Sequence, residues 1–212
     1  MRTGGAVTAR ERILSRLMSA RAGSRLPREL VPPIPATARL TADACVHRFG
    51  VEAQALGVEY YVESSIADVH KRLTALIEGR RVLSWDLAHL PYQAGMLMSN
   101  AVLGQAPRAA QATADVGVTG CDAAVAETAS LVMFSAPGRS RTVSLLPPFH
   151  VAIVERGRFH FSMAEVFEVY RDRLEGSAAC TFITGPSRTA DIELTLTLGI
   201  HGPGRVAVLV GP

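Results

Sequence analysis

Val151-Ala152-Ile153-Val154 runs for four residues without a polar side chain. So short and apolar a run suits a strand buried on both faces, as in a parallel sheet with a layer on either side. The type recurs as Val58-Glu59-Tyr60-Tyr61-Val62, Arg81-Val82-Leu83-Ser84-Trp85, Val116-Gly117-Val118-Thr119, Ala129-Ser130-Leu131-Val132-Met133-Phe134 and Cys180-Thr181-Phe182-Ile183. Helical patterns separate these runs. One is predicted over 42–56, and Ser65 with Asp68 opens another through Leu73, Leu76 and Ile77, closed by Gly79. Residues 92–103 and, briefly, 121–127 also read as helical, and Ser162 with Glu165 opens a helix before Cys180. Alternating strands and helices predict an α/β fold with a largely parallel sheet, covered on both faces and joined by right-handed crossovers. Near the C-terminus, Ile192, Leu194, Leu196, Leu198 and Ile200 alternate with polar or small residues, a strand period. His201-Gly202-Pro203-Gly204 is turn material before Val206-Ala207-Val208-Leu209-Val210, so a hairpin or sharp return is expected there.

At the other end, Thr8 and Glu11 form a capping-box pattern, and Ile13, Leu14, Leu17 and Met18 fall on one helical face. Pro27, Pro32, Pro33 and Pro35 then break any helix. Residues 1–40 read as a helix and proline-rich linker, and 41–212 as the α/β domain. The first helix reads as an ordinary docking helix, and the linker also leaves it free to move or to dock on another copy, so a homo-oligomer is an open expectation.

The 212 residues are 48% hydrophobic and 19% charged, enough apolar material for one packed core. A net charge of +3 with dispersed arginines argues against a nucleic-acid partner. Cys45, Cys121 and Cys180 are scattered and form no CxxC pair, which excludes a thioredoxin-like or iron–sulfur motif and suits a reducing compartment. The histidines show no HExxH spacing, so no metal ligand set is expected. Neither a span of about 18 apolar residues nor a signal-peptide core is present, and the expected location is cytoplasmic.

Thr184-Gly185-Pro186-Ser187-Arg188-Thr189-Ala190-Asp191-Ile192-Glu193 is the richest polar segment. It follows an apolar strand, where an open parallel sheet places its ligand crevice. Gly185 allows close backbone approach, Ser187 and Thr189 offer hydroxyls, Arg188 can grip a carboxylate or phosphate, and Asp191 can orient that arginine or handle a proton. A self-satisfied loop capped by Asp191 is the alternative. His201, beside Gly202 in the following turn, is suited to acid–base work or to a structural role. Glu127, with Thr128, stands before a buried strand: partly buried it suits acid–base or nucleophilic chemistry, exposed it is an ordinary helix-end residue. Asp122 reads as a helix cap, Cys121 as packing, and His150 as a structural hydrogen-bonding residue. Arg139 and Arg141 are candidates for an anion; Arg141, nearer the buried run, is the better, although solvated surface arginines are the commoner case.

The Gly185–Glu193 run with Gly199, His201, Gly202 and Pro203 closely resembles the signature of the lactate-utilisation protein C family, whose shared unit is the LUD domain. So does Ala126-Glu127-Thr128 followed by an apolar strand and Leu146-Pro147-Pro148, with Ala129-Ser130 where a Gly-Thr is common. The resemblance covers roughly residues 41–210. It implies a three-layer αβα fold of the type shared by ribose-5-phosphate isomerase, glucosamine-6-phosphate deaminase and CoA transferases. It also implies a part in bacterial oxidation of lactate to pyruvate alongside iron–sulfur partner proteins. The cysteine motifs of the family's long form are absent, so no cofactor is expected on this chain and the clusters fall to the partners. By analogy with CoA transferases, Glu127 is a positional counterpart of a nucleophilic glutamate, although fold kinship transfers no reaction. Two functions stand at this point, and whether the chain is itself an enzyme is open. One is a component of a lactate-oxidising system; the other is a stand-alone transferase or isomerase acting on a small anionic metabolite such as a sugar phosphate or acyl-CoA.

Overall fold

The structure is a computed structural model that describes residues 8–23, 40–190 and 196–212. The proline-rich linker and Asp191, Ile192, Glu193 and Leu194 lie outside the described residues. The chain divides into two units, Met1–Pro35 and Ala36–Pro212. In the first, helix α1 (Ala9–Gly23) begins as its capping box predicts: the Thr8 amide donates to Glu11 Oε2 at 2.7 Å, and the Glu11 amide donates to Thr8 Oγ1 at 3.3 Å. Ile13, Leu14, Leu17 and Met18 are exposed.

The second unit opens with α2 (Ala42–Ala55), β1 (Glu59–Val62), α3 (Ile66–Ile77), β2 (Val82–Ser84), β3 (Val102–Leu103) and α4 (Arg108–Gln111). It continues with β4 (Val116–Thr119), β5 (Ala123–Val125), β6 (Ser130–Phe134), β7 (Phe149–Val154), β8 (Phe159–His160), α5 (Met163–Val169) and α6 (Arg171–Gly176). It ends with β9 (Cys180–Thr184), β10 (Arg188–Ala190), β11 (Leu196–Leu198) and β12 (Arg205–Val210). Six strands form an all-parallel central sheet in the order β1-β12-β7-β4-β2-β3. A smaller sheet, β8-β5-β6-β9, is mostly antiparallel, and β10 pairs with β11 as a hairpin. The fold is α/β with helices flanking a mostly parallel sheet.

Two adjacent tyrosines show how the layers form, because successive strand residues point to opposite faces. Tyr60 faces α2: its hydroxyl donates to the Val46 carbonyl at 2.8 Å and its ring packs against Phe49. Tyr61 faces α3, where Arg72 lies 4.5 Å above its ring. On its far side Phe49 meets Phe159 of β8 edge-on at 5.3 Å, so α2 lies between the two sheets. Gly50 makes that possible, since a Cβ there would come within 2.6 Å of the Tyr60 ring. A glycine inside a helix costs about 1 kcal/mol, which the close helix–sheet contact offsets.

The structure departs from the sequence expectations in four places. Residues 92–103 form no long helix: 3-10 turns at Leu87–His89 and Pro91–Leu97 lead into β3. Pro91 removes a donor, and Tyr92 and Gln93 adopt left-handed backbone (φ 56° and 55°), held by Tyr92 Oη donating to the Pro212 carbonyl at 2.9 Å. Residues 121–127 are not helical either. Cys121 through Ala126 are all buried, and β5 sits between β6 and β8, an environment with no polar face for a helix to present. Asp122 therefore caps no helix. The C-terminal hairpin is β10–β11, and β12 does not return along it but inserts between β1 and β7, parallel to both.

His150 has the structural role expected of it. It is fully buried in β7, with Nε2 2.9 Å from Thr119 Oγ1 and Nδ1 unpartnered. Burial pulls its pKa down from the ordinary 6.5 to about 4. The folded state thus disfavours the proton, so the stability linked to His150 is in place above about pH 6.5 and is lost as pH falls toward 4. Chemical denaturation across that window should show an acid-side loss of up to about 3 kcal/mol that a His150→Leu variant lacks. Phe49→Ala should cost about 3–5 kcal/mol at neutral pH, because both sheets lose the same side chain; urea midpoints check it.

Candidate functional site

Part of the loop set singled out in the sequence is linked by hydrogen bonds. β6 and β9 pair so that Ser130 lies opposite Thr184. Thr128 Oγ1, Ser130 Oγ and Thr184 Oγ1 form a hydroxyl chain with separations of 2.8 and 2.6 Å. Ala129 between the first two sits at φ 50°, a conformation glycine adopts without strain. Gly185 (φ 74°) turns the chain out of β9, and the Ser187 amide donates to the Pro203 carbonyl at 2.8 Å. The Gly199 amide in turn donates to the Ser187 carbonyl at 2.9 Å, which fastens the two glycine-rich turns together. Gly202 lies against the Ser187 side chain, and His201 is exposed in the same turn. Arg188 reaches across to the carbonyl of Leu56, just before β1. Thr189 pairs with Thr197 in the β10–β11 hairpin, and Asp191 lies outside the described residues.

This cluster does not lie where a crevice of the parallel sheet was expected. β9 belongs to the small sheet, and the turns it leads into border the amino ends of β1 and β12. There Arg205 Nη2 holds Glu59 Oε2 at 2.9 Å while its guanidinium stacks 4.0 Å over Phe149, clamping the starts of β1, β12 and β7. Paired exposed side chains of this kind add little stability, but they hold three strand ends in register.

Glu127 is half-buried, and its Oε1 accepts the Met163 amide at 3.0 Å, at the N-terminus of α5. Thr128 is exposed beside it. The two candidate arginines are placed in the opposite order from that expected. Arg141 is exposed and borders Phe134 and Thr181, at the end of β6 and β9 remote from Ser130 and Thr184. Arg139 is half-buried, stacked 4.4 Å over Trp85, and its Nη1 lies 2.8 Å from Asp122 Oδ1. Arg173 Nη1 meets the same oxygen at 2.9 Å, and Asp122 Oδ2 accepts the Phe134 amide at 2.9 Å. Asp122 is 3% exposed, and a buried carboxylate needs that many partners. Next to it, burial raises the Cys121 thiol to about 12, which leaves no thiolate at neutral pH. Sequence reasoning passed over His89, Glu155 and Arg158 near Asp122. His89 stands in one loop and Glu155 with Arg158 in another, and the only local signal was that His89 and Glu155 follow apolar strand runs.

Comparison with known proteins agrees with this architecture. The LUD domain family matches residues 46–210. Over 110 residues the chain is 42% identical to lactate utilization protein C of an Exiguobacterium species, a match covering 50% of this chain and 48% of that one. Against lactate utilization protein C of Deinococcus radiodurans the identity is 30% over 206 residues, covering 95% of each. The chain thus spans about half the length of the first relatives and nearly all of the Deinococcus protein. A crystal structure of a DUF162 family protein from the same organism superposes with a TM-score of 0.62 at 24% identity, over 82% of this chain and 99% of that one, a likeness of fold. With its sheet, its paired glycine-rich turns and a match over most of its length, this chain belongs to the LUD domain family.

Proposed function

We propose that this chain serves bacterial lactate utilisation, as a component of a system that oxidises lactate to pyruvate with iron–sulfur partner proteins. The observation that carries the reading is the match along 95% of both chains to the Deinococcus lactate utilization protein C. Oxidation of a 2-hydroxy acid removes two electrons and two protons, and iron–sulfur centres in partner proteins are suited to taking the electrons one at a time. What this chain offers is the hydroxyls of Thr128 and Thr184 and the guanidinium of Arg188, together with the exposed imidazole of His201. Such groups suit a small carboxylate or a partner's acidic surface.

Deletion of the gene in its host should abolish growth on lactate as sole carbon source while sparing growth on pyruvate, and the intact gene should restore it. Undiminished growth on lactate overturns the proposal. Produced together with cysteine-rich iron–sulfur proteins from the same host, the tagged chain should retain them on affinity purification. Turnover of a sugar phosphate or acyl-CoA by the isolated chain would favour the stand-alone enzyme instead.

A further inference from the structure

We propose a second, separate site: the crevice at the carboxyl ends of β2, β4 and β7 binds a compact anion, a carboxylate or phosphate group on a body of a few atoms. The argument begins with topology. β2 is followed in the chain by β3 on its outer side, whereas its neighbour β4 leads, through the small sheet, to β7 on the other side. Adjacent parallel strands whose continuations diverge open a crevice beyond their carboxyl ends, and ligands of such sheets bind there.

A cavity of about 140 Å³ occupies that position. His89 comes from the loop after β2, Gly120 and Asp122 from the loop after β4, Glu155 and Arg158 from the loop after β7, and Arg139 from the loop after β6. The volume falls well below the roughly 300–1,000 Å³ of a drug-sized pocket, so the occupant has few atoms. Two glycines shape the cavity. A Cβ at Gly120 would press on Pro91 at 3.2 Å and Trp85 at 3.3 Å, and one at Gly138 would strike the His89 ring at 2.8 Å. The wall formed by residues 88–91 leads directly into the left-handed Tyr92 and Gln93, and such strained backbone often lies near ligand sites.

Charge supports the same reading. Arg139 and Arg158 line the crevice together with Asp122 and Glu155, and Arg173, outside the lining, is a further guanidinium bonded to Asp122. Arg139 and Arg173 share a single Asp122 oxygen, and Arg139 Nε is buried without a hydrogen-bond partner. Arg139 and Arg158 both line the crevice, and a guanidinium fork is suited to gripping a carboxylate or phosphate placed there. None of these residues belongs to the turns around Gly185 and His201, so the site stands independently of the lactate reading.

Trp85, the chain's one tryptophan, carries the Arg139 guanidinium on its ring and therefore reports on the site. The experiment titrates pyruvate, lactate and inorganic phosphate separately into the purified full chain, following tryptophan emission, with sodium chloride at matched ionic strength as control. At least one anion should give a saturable change with a dissociation constant of about 1 mM or tighter, and the arm that saturates identifies carboxylate or phosphate. Arg139→Lys and Arg158→Gln should each weaken that binding about tenfold. Arg158 pairs with Glu155 at the surface, both side chains more than two-fifths exposed, so its variant should keep the wild-type melting temperature. Only a linear, salt-like drift in every arm, or unchanged affinity in a folded Arg158→Gln protein, overturns the proposal.

Discussion

Phe49 is the side chain on which both sheets of the domain rely. It is fully buried, with Tyr60 of the parallel sheet on one side and Phe159 of the small sheet on the other. Burial of an aromatic ring contributes a few kcal/mol by itself, and edge-on contact adds somewhat more. The larger effect is geometric. α2 can serve two sheets only if it lies close to both, and the glycine after Phe49 permits the approach on the Tyr60 side. The spacing between the sheets follows, and with it the position of the loops that leave β4, β6 and β7.

Much of this was legible in the sequence. The strands of the parallel sheet announced themselves because burial on both faces leaves near-continuous apolar runs. Helix starts at Thr8, Ser65 and Ser162 were readable because a capping hydroxyl and its carboxylate partner lie within one turn of each other. What failed was context. Ala123, Ala124 and Ala126 favour helix by intrinsic preference, and only their burial between two neighbouring strands makes the segment extended. β12 looked like the second arm of a hairpin because turn residues precede it. Its actual partners, β1 and β7, are remote in sequence and leave no local trace.

The candidate site divides along the same line. The turns at Gly185–Ser187 and Gly199–Pro203 were recognisable because their polar groups are consecutive and their glycines mark positive φ, as found at Gly185 and Gly199. Arg139 was underrated because nothing near it in sequence shows that Trp85 and Asp122 will bury it. A crevice assembled from four loops has no sequence motif. It becomes visible only once strand order is known.

The position of β12 has a consequence for how the molecule assembles. β1 is made early, yet its sheet partner is β12, near residue 210, and β7 too has one side that only β12 can fill. Until that strand is in place, β1 and β7 each present an unpaired ladder of backbone donors and acceptors, an edge prone to pairing with other chains. Closure of the sheet is therefore a late, long-range event, slow by the loop entropy it must overcome. A strand buried along nearly its whole length is thus made well after both of its partners, and the nascent chain depends on whatever shields its open sheet until then.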